Sequence, residues 1–519
     1  MRKFLKHNTM KIRFSLLIPA LLLCLTAVGE VHISIDDPST WSGQSLAPYV
    51  GETVIFDVPM IVCGNANGSY TVSPWRRFQP ESHGFAGTAD YSSTVRINNT
   101  CMFSLSGVSG YHRCGEKIIG LKAKVNSTSS LSMSGGTWQG NTRAELEAGL
   151  PELGDYRLLI CGFNLENYFV AHLGRDYMGA NSYSEHQDQR AKISKALKQI
   201  NADIYGLVEL EQGNDAVEEI VNDLNKNLPL RHYQYFSDAS SGSFQKVEFV
   251  YDANKVAPIG VPAGTDVEVQ YRKKMICFRE LSTGERFIFS INHFKAMNTG
   301  AEDRRKNEAI AVMDLYSAYY GNKTVNDRDL LVMGDLNCYA FTEPIKQFTD
   351  RGMLDLHRAF HEDSSYSYMF GGLASYIDHA LCNTTLYSQV TGMSAYHINS
   401  DEDDKYTYDK SSDASMFRCS DHDPVLVGLR LDSTLVYNPT PIVNSADIFS
   451  GDADHLTILN AHNKDRKSFY AIYSVHGWMV KREEITSDYF SVSLPSEPGM
   501  YIVYVYYDGQ TYQRRIIVR

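Results

Sequence analysis

The chain has 519 residues, of which 43% are hydrophobic and 21% are charged, and its formal net charge is −12. A chain of this length and composition exceeds what one hydrophobic core usually fills, so two or three domains are expected. The negative charge argues against a broad, sequence-independent grip on phosphate backbones, although a local basic rim and a bound cation can reverse the field inside one cleft.

The first 29 residues have the pattern of an export signal. Five basic residues accompany the apolar stretch that starts at Phe14, and Ala27-Val28-Gly29 offers small residues for cleavage. A retained N-terminal anchor is the alternative, although the apolar stretch is short for a membrane span. Residues 1–29 contain no acidic residue, so their removal lowers the net charge from −12 to −17. We expect a secreted or cell-surface, outer-membrane-associated protein without a transmembrane span.

Eight cysteines follow the export signal, an even number that permits disulfides in an exported protein. Cys63, Cys101 and Cys114 are clustered and are the expected source of one bridge. The other five are scattered, and small buried apolar residues are an equal alternative for them. No CxxC spacing occurs, which argues against a zinc site.

The patterning then predicts successive domains. Residues 30–125 are rich in β-branched residues, serine and glycine, and predict a small all-β module. The small polar residues that follow predict a linker over residues 126–155. Short apolar runs alternate with amphipathic helices over residues 156–432, which indicates an α/β domain. Residues 433–519 are again β-rich, and Asp508-Gly509 predicts a hairpin turn in a C-terminal β-sandwich.

Polar, metal-capable residues follow apolar strands repeatedly within the α/β domain, where ligands gather in such sheets. The motifs in chain order are Asn164-Leu165-Glu166-Asn167, Glu209, Asn292-His293-Phe294-Lys295, Gly334-Asp335-Leu336-Asn337, Asp378-His379 and Ser420-Asp421-His422-Asp423-Pro424. Each has an ordinary alternative when taken singly: a strand-end carboxylate, a core histidine, or a turn or helix cap. These ordinary alternatives explain the complete, ordered set of motifs much less well.

In this order the motifs resemble the endonuclease/exonuclease/phosphatase family, which includes pancreatic-type DNases, abasic-site endonucleases, sphingomyelinases and inositol-polyphosphate phosphatases. The resemblance covers about residues 156–432. It implies a four-layer α/β sandwich, with two mixed β-sheets face to face and helices outside. Small all-β domains then flank the sandwich at both ends.

The resemblance also implies a phosphodiester hydrolase that needs a divalent cation. Glu209, Asn164 and Asp421 supply hard oxygen ligands, which Mg²⁺ or Mn²⁺ prefers, with Ca²⁺ as a further candidate. The cation would bind a phosphate oxygen and stabilise the transition state.

The resemblance assigns catalytic roles to five residues. Asp335 orients the attacking water and Asn337 holds the phosphate, while His422 contacts the phosphate and is oriented by Asp378. His293 is a candidate general acid. Pancreatic-type DNases pair that histidine with an upstream glutamate. The nearest position here is Gln245, with Glu248 close by, and a missing carboxylate partner would lower the basicity of His293.

Basic and aromatic residues near the motifs are candidates for substrate contact. Lys295, Arg304 and Arg305 form the expected basic rim, with a solvated helix start as the alternative for the two arginines. Tyr366 and Tyr368 are candidates to stack on bases. Core packing is the alternative for Tyr368 and for Phe370.

Both flanking domains carry further resemblances. The first module resembles the oligonucleotide-binding-like β-barrels that precede the nuclease domain in bacterial extracellular nucleases. The C-terminal segment, with Pro498-Gly499-Met500-Tyr501-Ile502-Val503, resembles a type IX secretion sorting domain, and a plain accessory β-sandwich is the alternative.

Three functions are compatible with these residues. The first is an extracellular endonuclease that cleaves DNA, with RNA as a second substrate. The second is the same machinery acting on a phospholipid or an inositol phosphate, and the third is a non-catalytic surface-binding protein. The export signal and the His293-Phe294-Lys295 motif favour the first, and the complete motif set speaks against the third.

Overall fold

The computed structural model describes the chain from residue 30 to residue 518, so the predicted export signal at residues 1–29 lies outside the described residues. Within that range the description leaves out residues 36, 38–39, 66–68, 175–178, 238–243, 265–271, 298–299, 321–326, 363, 432–448, 451–455, 460–467, 475–478, 488 and 508–509. No helix in the described part of the chain is long and apolar enough to cross a membrane.

The N-terminal module is built on strands. They are β1 (Val31–Ile33), β2 (Thr53–Phe56), β3 (Met60–Gly64), β4 (Tyr70–Ser73), β5 (Phe103–Ser106), β6 (Lys117–Ser127) and β7 (Ser130–Gln139). Five of them close into a ring in the order β3-β4-β5-β7-β6, because β6 pairs with β3 as well as with β7. The ring also carries a helix, α1 (Ala89–Thr100), between β4 and β5. Its buried residues, Thr94 and Asn98, are polar, so no apolar periodicity reveals α1 in the sequence.

The structure contradicts the predicted linker at residues 126–155. The first half of that segment forms the end of β6 and all of β7, and a short helix, α2 (Arg143–Ala148), follows. Strand β7 pairs with both β5 and β6, and Leu131 on it is fully buried. The hydrogen bonds between these strands are made by backbone groups, so a strand can be rich in serine and glycine when only a few of its side chains enter the core. The small polar composition therefore did not distinguish this strand from a linker.

The second domain follows with strands and helices in alternation. Its strands are β8 (Leu158–Tyr168), β9 (Ile204–Glu211), β10 (Tyr233–Tyr235), β11 (Gln245–Asp252), β12 (Val256–Gly264), β13 (Lys273–Glu280), β14 (Arg286–His293), β15 (Leu330–Asp335), β16 (Met353–Asp355), β17 (Tyr368–Phe370), β18 (Leu373–Ser375), β19 (Asp378–Asn383), β20 (Val390–Ala395) and β21 (Val425–Leu429). Its helices are α3 (Tyr183–Ile200), α4 (Asp215–Asn227), α5 (Glu302–Tyr320), α6 (Glu343–Thr349), α7 (Leu356–His361) and α8 (Thr384–Tyr387).

These elements form the predicted four-layer sandwich. One mixed sheet has the order β10-β11-β9-β8-β21-β20, and the other has the order β12-β13-β14-β15-β19-β16. An apolar core that includes Ile160, Phe249 and Phe289 lies between the sheets. Helices α3 and α4 cover the outer face of the first sheet, and α5 and α6 cover that of the second.

Strand register brings the sequence motifs together. Strands β14 and β15 are parallel neighbours, which places His293 beside Asp335. Strand β19 runs antiparallel to β15 and places Asp378 opposite Asp335. Strands β17 and β18 form a separate hairpin, and Tyr368 on β17 makes a backbone bridge to His422.

The C-terminal region has a three-stranded and a four-stranded sheet. Its strands are β22 (Phe449–Ser450), β23 (Thr457–Leu459), β24 (Phe469–Ser474), β25 (Met479–Glu484), β26 (Tyr489–Ser491), β27 (Gly499–Tyr507) and β28 (Gln510–Val518). Strands β27 and β28 pair along their whole length, as the hairpin pattern predicted, while the turn residues 508–509 lie outside the described part. Apolar side chains of both sheets share one core.

The predicted disulfide is wrong for this structure. All eight described cysteines, including Cys63, Cys101 and Cys114, are free and buried. The Cys63 thiol instead donates to the carbonyl oxygens of Ile61 and Trp75, each at 3.5 Å. Burial also raises the pKa of the Cys114 thiol. These residues therefore act as small apolar side chains, which is an ordinary use of cysteine.

Candidate active site

The turn after β15 aims Asp335 and Asn337 into one cleft. Gly334 has a φ of +122°, and a Cβ atom there would lie 2.0 Å from the carbonyl oxygen of Asn292, so the turn requires glycine. The Asn337 backbone N–H donates to Oδ1 of Asp335 at 2.8 Å, and its side-chain amide donates to Oδ2 at 3.1 Å. The two-residue spacing therefore places both side chains together.

Asp335 lies at the centre of the site and is 2% exposed. Asn164 donates to its Oδ2 atom at 3.2 Å, and Nε2 of His293 lies 3.7 Å from the same oxygen. Burial raises the pKa of Asp335 to about 7, an effect that His422 opposes and Glu209 reinforces. This carboxyl group can therefore gain or lose a proton near neutral pH.

Glu209 approaches the same point from β9. One of its carboxylate oxygens accepts from the Asn167 backbone N–H at 2.9 Å, and the other lies 3.5 Å from Nε2 of His293. Burial, reinforced by Asp421, raises the pKa of Glu209. Ligand atoms of Glu209, His293 and Asp335 all lie within 4.8 Å of one another, an arrangement that could hold a metal ion.

The other two predicted metal ligands lie on either side of this triad. The Asn164 side chain is buried and already hydrogen-bonds to Asp335. Asp421 has a side chain that is 35% exposed, and its Oδ1 atom lies 3.8 Å from Nε2 of His422. The structure thus gathers the predicted residues in one cleft and adds His293 and Asp335 to the possible ligands.

Glu166 is a site residue within the first sequence motif, although the motif alone predicted no role for it. Its Oε2 atom is buried and has no hydrogen-bond partner among the described residues. Burial, reinforced by Asp421 and Glu209, raises the pKa of Glu166 to about 8. Buried carboxylates that raise one another's pKa fit a bound cation, because the cation would neutralise their repulsion. In the sequence, the position of Glu166 two residues after Asn164 was the signal that could have identified it as a site residue.

Backbone strain concentrates at this site. Glu166, Asn167, Glu209, Asn337 and Arg418 are non-glycine residues with φ between +49° and +64°. Such conformations cost on the order of 1–3 kcal/mol each and persist where the surrounding structure imposes them. The strain indicates that the fold sets the directions of these side chains.

His422 is held by Asp378. The Nδ1–H of His422 donates to Oδ2 of Asp378 at 2.8 Å, and the Ser367 hydroxyl donates to the same oxygen at 2.7 Å. Burial lowers the pKa of His422, but Asp378 and Asp421 outweigh it and raise that pKa well above its usual value. The raised pKa favours the charged imidazole, whose Nε2 atom lies 4.0 Å from Asp335.

His293 differs from the DNase-like expectation. Its Nδ1 atom is buried and lacks a hydrogen-bond partner in the described part of the chain. Gln245 donates to Asn167 instead, and Glu248 accepts from two buried lysines. Burial, reinforced by Arg272, holds the pKa of His293 well below its usual value. A neutral imidazole is a proton acceptor or a metal ligand, and it is not a ready proton donor.

The basic rim is only partly as predicted. Lys295 is half-buried beside His293, and its backbone N–H donates to Glu308 at 2.9 Å. Arg305 corrects the prediction: it is 8% exposed and donates to the carbonyl oxygens of Lys295 and Ala296 at 3.4 and 3.3 Å. It lies on the inner face of α5, so it supports the loop that carries Lys295 and has no open face for substrate.

Arg272 is a site cation that the sequence motifs did not predict. It precedes β13 and donates to the carbonyl oxygen of Phe294 at 3.1 Å, while its Nε atom is buried and has no partner among the described residues. Glu209 and Asp335 both act on it electrostatically. The basic run Arg272-Lys273-Lys274, one strand away from His293, was the available signal.

The two candidate stacking tyrosines have different environments. The ring of Tyr368 packs against His422, with centroids 4.8 Å apart, and burial raises its pKa to about 12. Tyr366 corrects the prediction, because it stacks on His397 at 3.9 Å and its hydroxyl donates to Asp401 at 2.8 Å. Phe370, at the tip of the same hairpin, is 71% exposed.

The fold and the site define a hydrolase of phosphoesters. A sequence profile described as the Endonuclease/Exonuclease/phosphatase family matches residues 163–422, about half of the chain. The chain belongs to this family, whose members hydrolyse phosphoesters and generally depend on a divalent metal. No curated protein matches the sequence at a significant level.

Solved structures with partial similarity include proteins with several activities. An endonuclease/exonuclease/phosphatase family protein from Bacteroides thetaiotaomicron is 16% identical, with a TM-score of 0.38 and coverage of 52% of this chain and 97% of that chain. The human Nocturnin catalytic domain with bound sulfate is 12% identical, with a TM-score of 0.37 and coverage of 53% and 94%. A mannosyl-6-phosphatase from Bacteroides thetaiotaomicron is 17% identical, with a TM-score of 0.38 and coverage of 53% and 100%.

Proposed function

We propose that this chain is a secreted, Mg²⁺- or Mn²⁺-dependent phosphodiesterase, and that its substrate is extracellular DNA, with RNA as a second substrate, cut internally. The observation that carries the proposal is geometric: His422, whose Nδ1–H donates to Asp378, has its Nε2 atom 4.0 Å from the buried carboxyl of Asp335. A phosphate bound beside this pair would meet a positive charge at His422, while the Asp335 carboxyl could accept a proton from water.

The residues divide the chemistry among them. The Asp335 carboxyl accepts the proton of the attacking water. The Asn337 amide, which was predicted to hold the phosphate, donates instead to the Asp335 carboxyl and keeps it in place. The His422 and Arg272 side chains offer N–H donors to the non-bridging oxygens, where negative charge develops. A divalent cation held by Glu209, with Asn164 and Asp421 beside it, would neutralise further charge on the phosphate.

Nucleic acid is the favoured substrate because aromatic side chains flank the phosphate site. Tyr368 packs on His422, and Phe370 stands exposed at the tip of the same hairpin. Aromatic rings beside a phosphate site suit unpaired bases, since every base has a face that can stack. The closed five-stranded ring at the N-terminus supports an oligonucleotide-binding-like module, because such folds are five-stranded barrels.

Secretion is proposed from the two ends of the sequence. Residues 1–29 have the pattern of an export signal, and residues 433–519 are proposed as a sorting-like domain that engages secretion machinery. The two-sheet core of the C-terminal strands is compatible with such a domain. The protein would then act at the cell surface or in the medium.

A nuclease assay tests the proposal. Purified residues 30–519 with Mg²⁺ should convert supercoiled plasmid to nicked and linear forms, and EDTA should stop the reaction. Asp335→Ala and His422→Ala should each lower the rate by several orders of magnitude, while the exposed Asp350→Ala serves as the matched control. If DNA stays intact while sphingomyelin or an inositol phosphate is hydrolysed, the substrate is a phospholipid or an inositol phosphate and not nucleic acid. Retention of DNA without any cleavage would indicate a binding protein.

A further inference from the structure

The N-terminal module adds a hydrogen-bonded segment, residues 77–79, to the hairpin that borders the active site. The backbone N–H of Gln79 donates to the carbonyl of Ala374 at 2.9 Å, and the N–H of Ala374 donates to the carbonyl of Arg77 at 2.8 Å. Phe78 thereby forms a parallel bridge with Ala374 on β18. A two-stranded hairpin is only marginally stable alone, so this third segment supports it.

Arg76 then ties the hairpin to the body of the catalytic domain. Its Nη2 atom lies 2.5 Å from Oδ1 of Asp401 and 3.2 Å from the sulfur of Met369. Its guanidinium lies over the Tyr366 ring at 4.4 Å, and the Tyr366 hydroxyl donates to Asp401. The side chains of Arg76 and Asp401 are 12% and 0% exposed. One largely buried cation from the N-terminal module thus contacts Tyr366 and Met369, on both sides of Tyr368.

Tyr368 passes this support to His422 by two routes. Its ring packs on the imidazole, and its backbone bridges to that of His422. The preceding residue, Ser367, accepts from the Asp423 backbone N–H at 2.8 Å and donates its hydroxyl to the Asp378 oxygen that holds His422. The hairpin therefore contacts the imidazole directly and through its carboxylate partner.

We propose that Arg76 is a positioning residue for His422. The N-terminal module then forms a fixed side of the active site and is not held to the catalytic domain by a flexible tether alone. Arg76 holds Met369 and Tyr366, the hairpin holds Tyr368, and Tyr368 sets the plane of the imidazole. The expected effect of Arg76 on kcat rests on the proposed phosphodiesterase activity. Its expected effect on the position of the His422 imidazole does not.

Arg113 provides a matched control within the same interface. It also belongs to the N-terminal module, is 1% exposed, and pairs with a buried carboxylate of the catalytic domain, Glu402, at 2.5 Å. Its other side-chain hydrogen bonds among the described residues go to Asn141 and to the carbonyl of His397, so none reaches the hairpin. Arg113→Lys therefore perturbs a comparable buried ion pair and leaves the contacts of Arg76 with Asp401 and Met369 in place, although its partners Asn141 and His397 contact Asp401 and Tyr366 in turn.

The experiment compares Arg76→Lys with Arg113→Lys in residues 30–519. The first readout is the imidazole ¹⁵N and ¹H signal of His422 in NMR spectra, assigned by its loss in His422→Gln. The second is cleavage of bis(p-nitrophenyl) phosphate with Mg²⁺. Arg76→Lys should shift the His422 signal and lower kcat by about 10- to 100-fold, with a smaller change in KM, because small misplacements of reacting groups cost this much. Arg113→Lys should leave the signal in place and kcat within about threefold.

The possible outcomes separate the two proposals. A His422 signal that moves equally, or not at all, in both folded variants overturns the positioning role. A wild type that cleaves neither plasmid DNA nor bis(p-nitrophenyl) phosphate overturns the proposed function and leaves the NMR comparison to decide the positioning role. If Arg76→Lys does not fold, Tyr366→Phe decides, because it removes only the hydroxyl that joins the hairpin to Asp401. A moved His422 signal in Tyr366→Phe supports the role, and an unmoved one overturns it.

Discussion

The Nδ1–H of His422 donates to Oδ2 of Asp378 at 2.8 Å, and this contact leaves Nε2 pointing towards Asp335. The carboxylate selects one tautomer and stabilises the charged ring, although burial alone would favour the neutral form. The pair therefore presents a fixed N–H donor with a positive charge to the cleft, and the following substitutions test the network around it.

Asp378→Asn should lower kcat by about 100-fold, because an amide neither stabilises the imidazolium nor enforces its tautomer. Steady-state kinetics on a phosphodiester substrate measures the change. Asp355→Asn is the control, since Asp355 is a nearby carboxylate that accepts from Tyr376 and caps α7. Equal losses in both variants would show a general effect on the fold.

Glu209→Gln should weaken Mn²⁺ and Mg²⁺ binding by at least about tenfold, because the change removes a negative charge from the carboxylate cluster. Isothermal titration calorimetry measures this without any substrate. Glu211→Gln on the same strand is the matched control, because Glu211 accepts from the backbone N–H groups of Val170 and Ala171. Unchanged affinity in Glu209→Gln would remove Glu209 from the ligand set.

Arg272→Met should raise KM for a phosphodiester by about tenfold, because a cation in the cleft stabilises bound phosphate. Arg279→Met gives the control, since Arg279 lies on the adjoining strand β13 with an exposed side chain. Initial-rate measurements at several substrate concentrations separate KM from kcat. An unchanged KM would show that Arg272 does not meet the substrate.

Gly334→Ala should destabilise the protein by at least about 2 kcal/mol, because a Cβ atom would overlap the Asn292 carbonyl at a φ that disfavours side chains. Urea denaturation measures the loss in the free energy of unfolding. Gly149→Ala has open space and an extended φ of 172°, so it should stay within about 1 kcal/mol of the wild type. A small loss at Gly334 would mean that the turn can relax.

Asp329 predicts a pH-dependent stability far from the candidate catalytic residues. Burial, reinforced by Asp327, raises its pKa from 3.8 to about 7, while Gln389 donates to its carboxylate at 2.5 Å. The folded state then binds more protons than the unfolded state between about pH 4 and pH 7, so this group makes the free energy of unfolding fall as pH rises through that window.

Asp329→Asn should therefore gain stability relative to the wild type as pH rises from 4 to 7, by about 1–3 kcal/mol, and the gain should level off above pH 7. Urea denaturation at several pH values measures it, and the exposed Asp350→Asn gives the control. A gain that does not change with pH would exclude a raised pKa for Asp329.

The sequence by itself determined the family and the α/β class of the central domain. The spacing of apolar residues located β8, α3, β9, α5 and β15. Each helix among them buries one face, and each strand buries a continuous apolar run, so both leave a regular pattern in the sequence. The motifs identified Glu209, Asp335 and His422 because the residue types that this chemistry needs follow predicted strands.

Only the tertiary structure decided which side chains are available. The sequence predicted a linker at β7, a disulfide among three cysteines, and substrate contacts at Arg305 and Tyr366. In the structure β7 pairs with neighbouring strands, the cysteines are buried and free, and both side chains make internal hydrogen bonds. These outcomes depend on neighbours distant in sequence. Likewise, Arg272 reaches the cleft from the residue before β13, and Arg76 reaches the hairpin from another module. Local sequence patterns do not encode such contacts, because these patterns record only the period of burial.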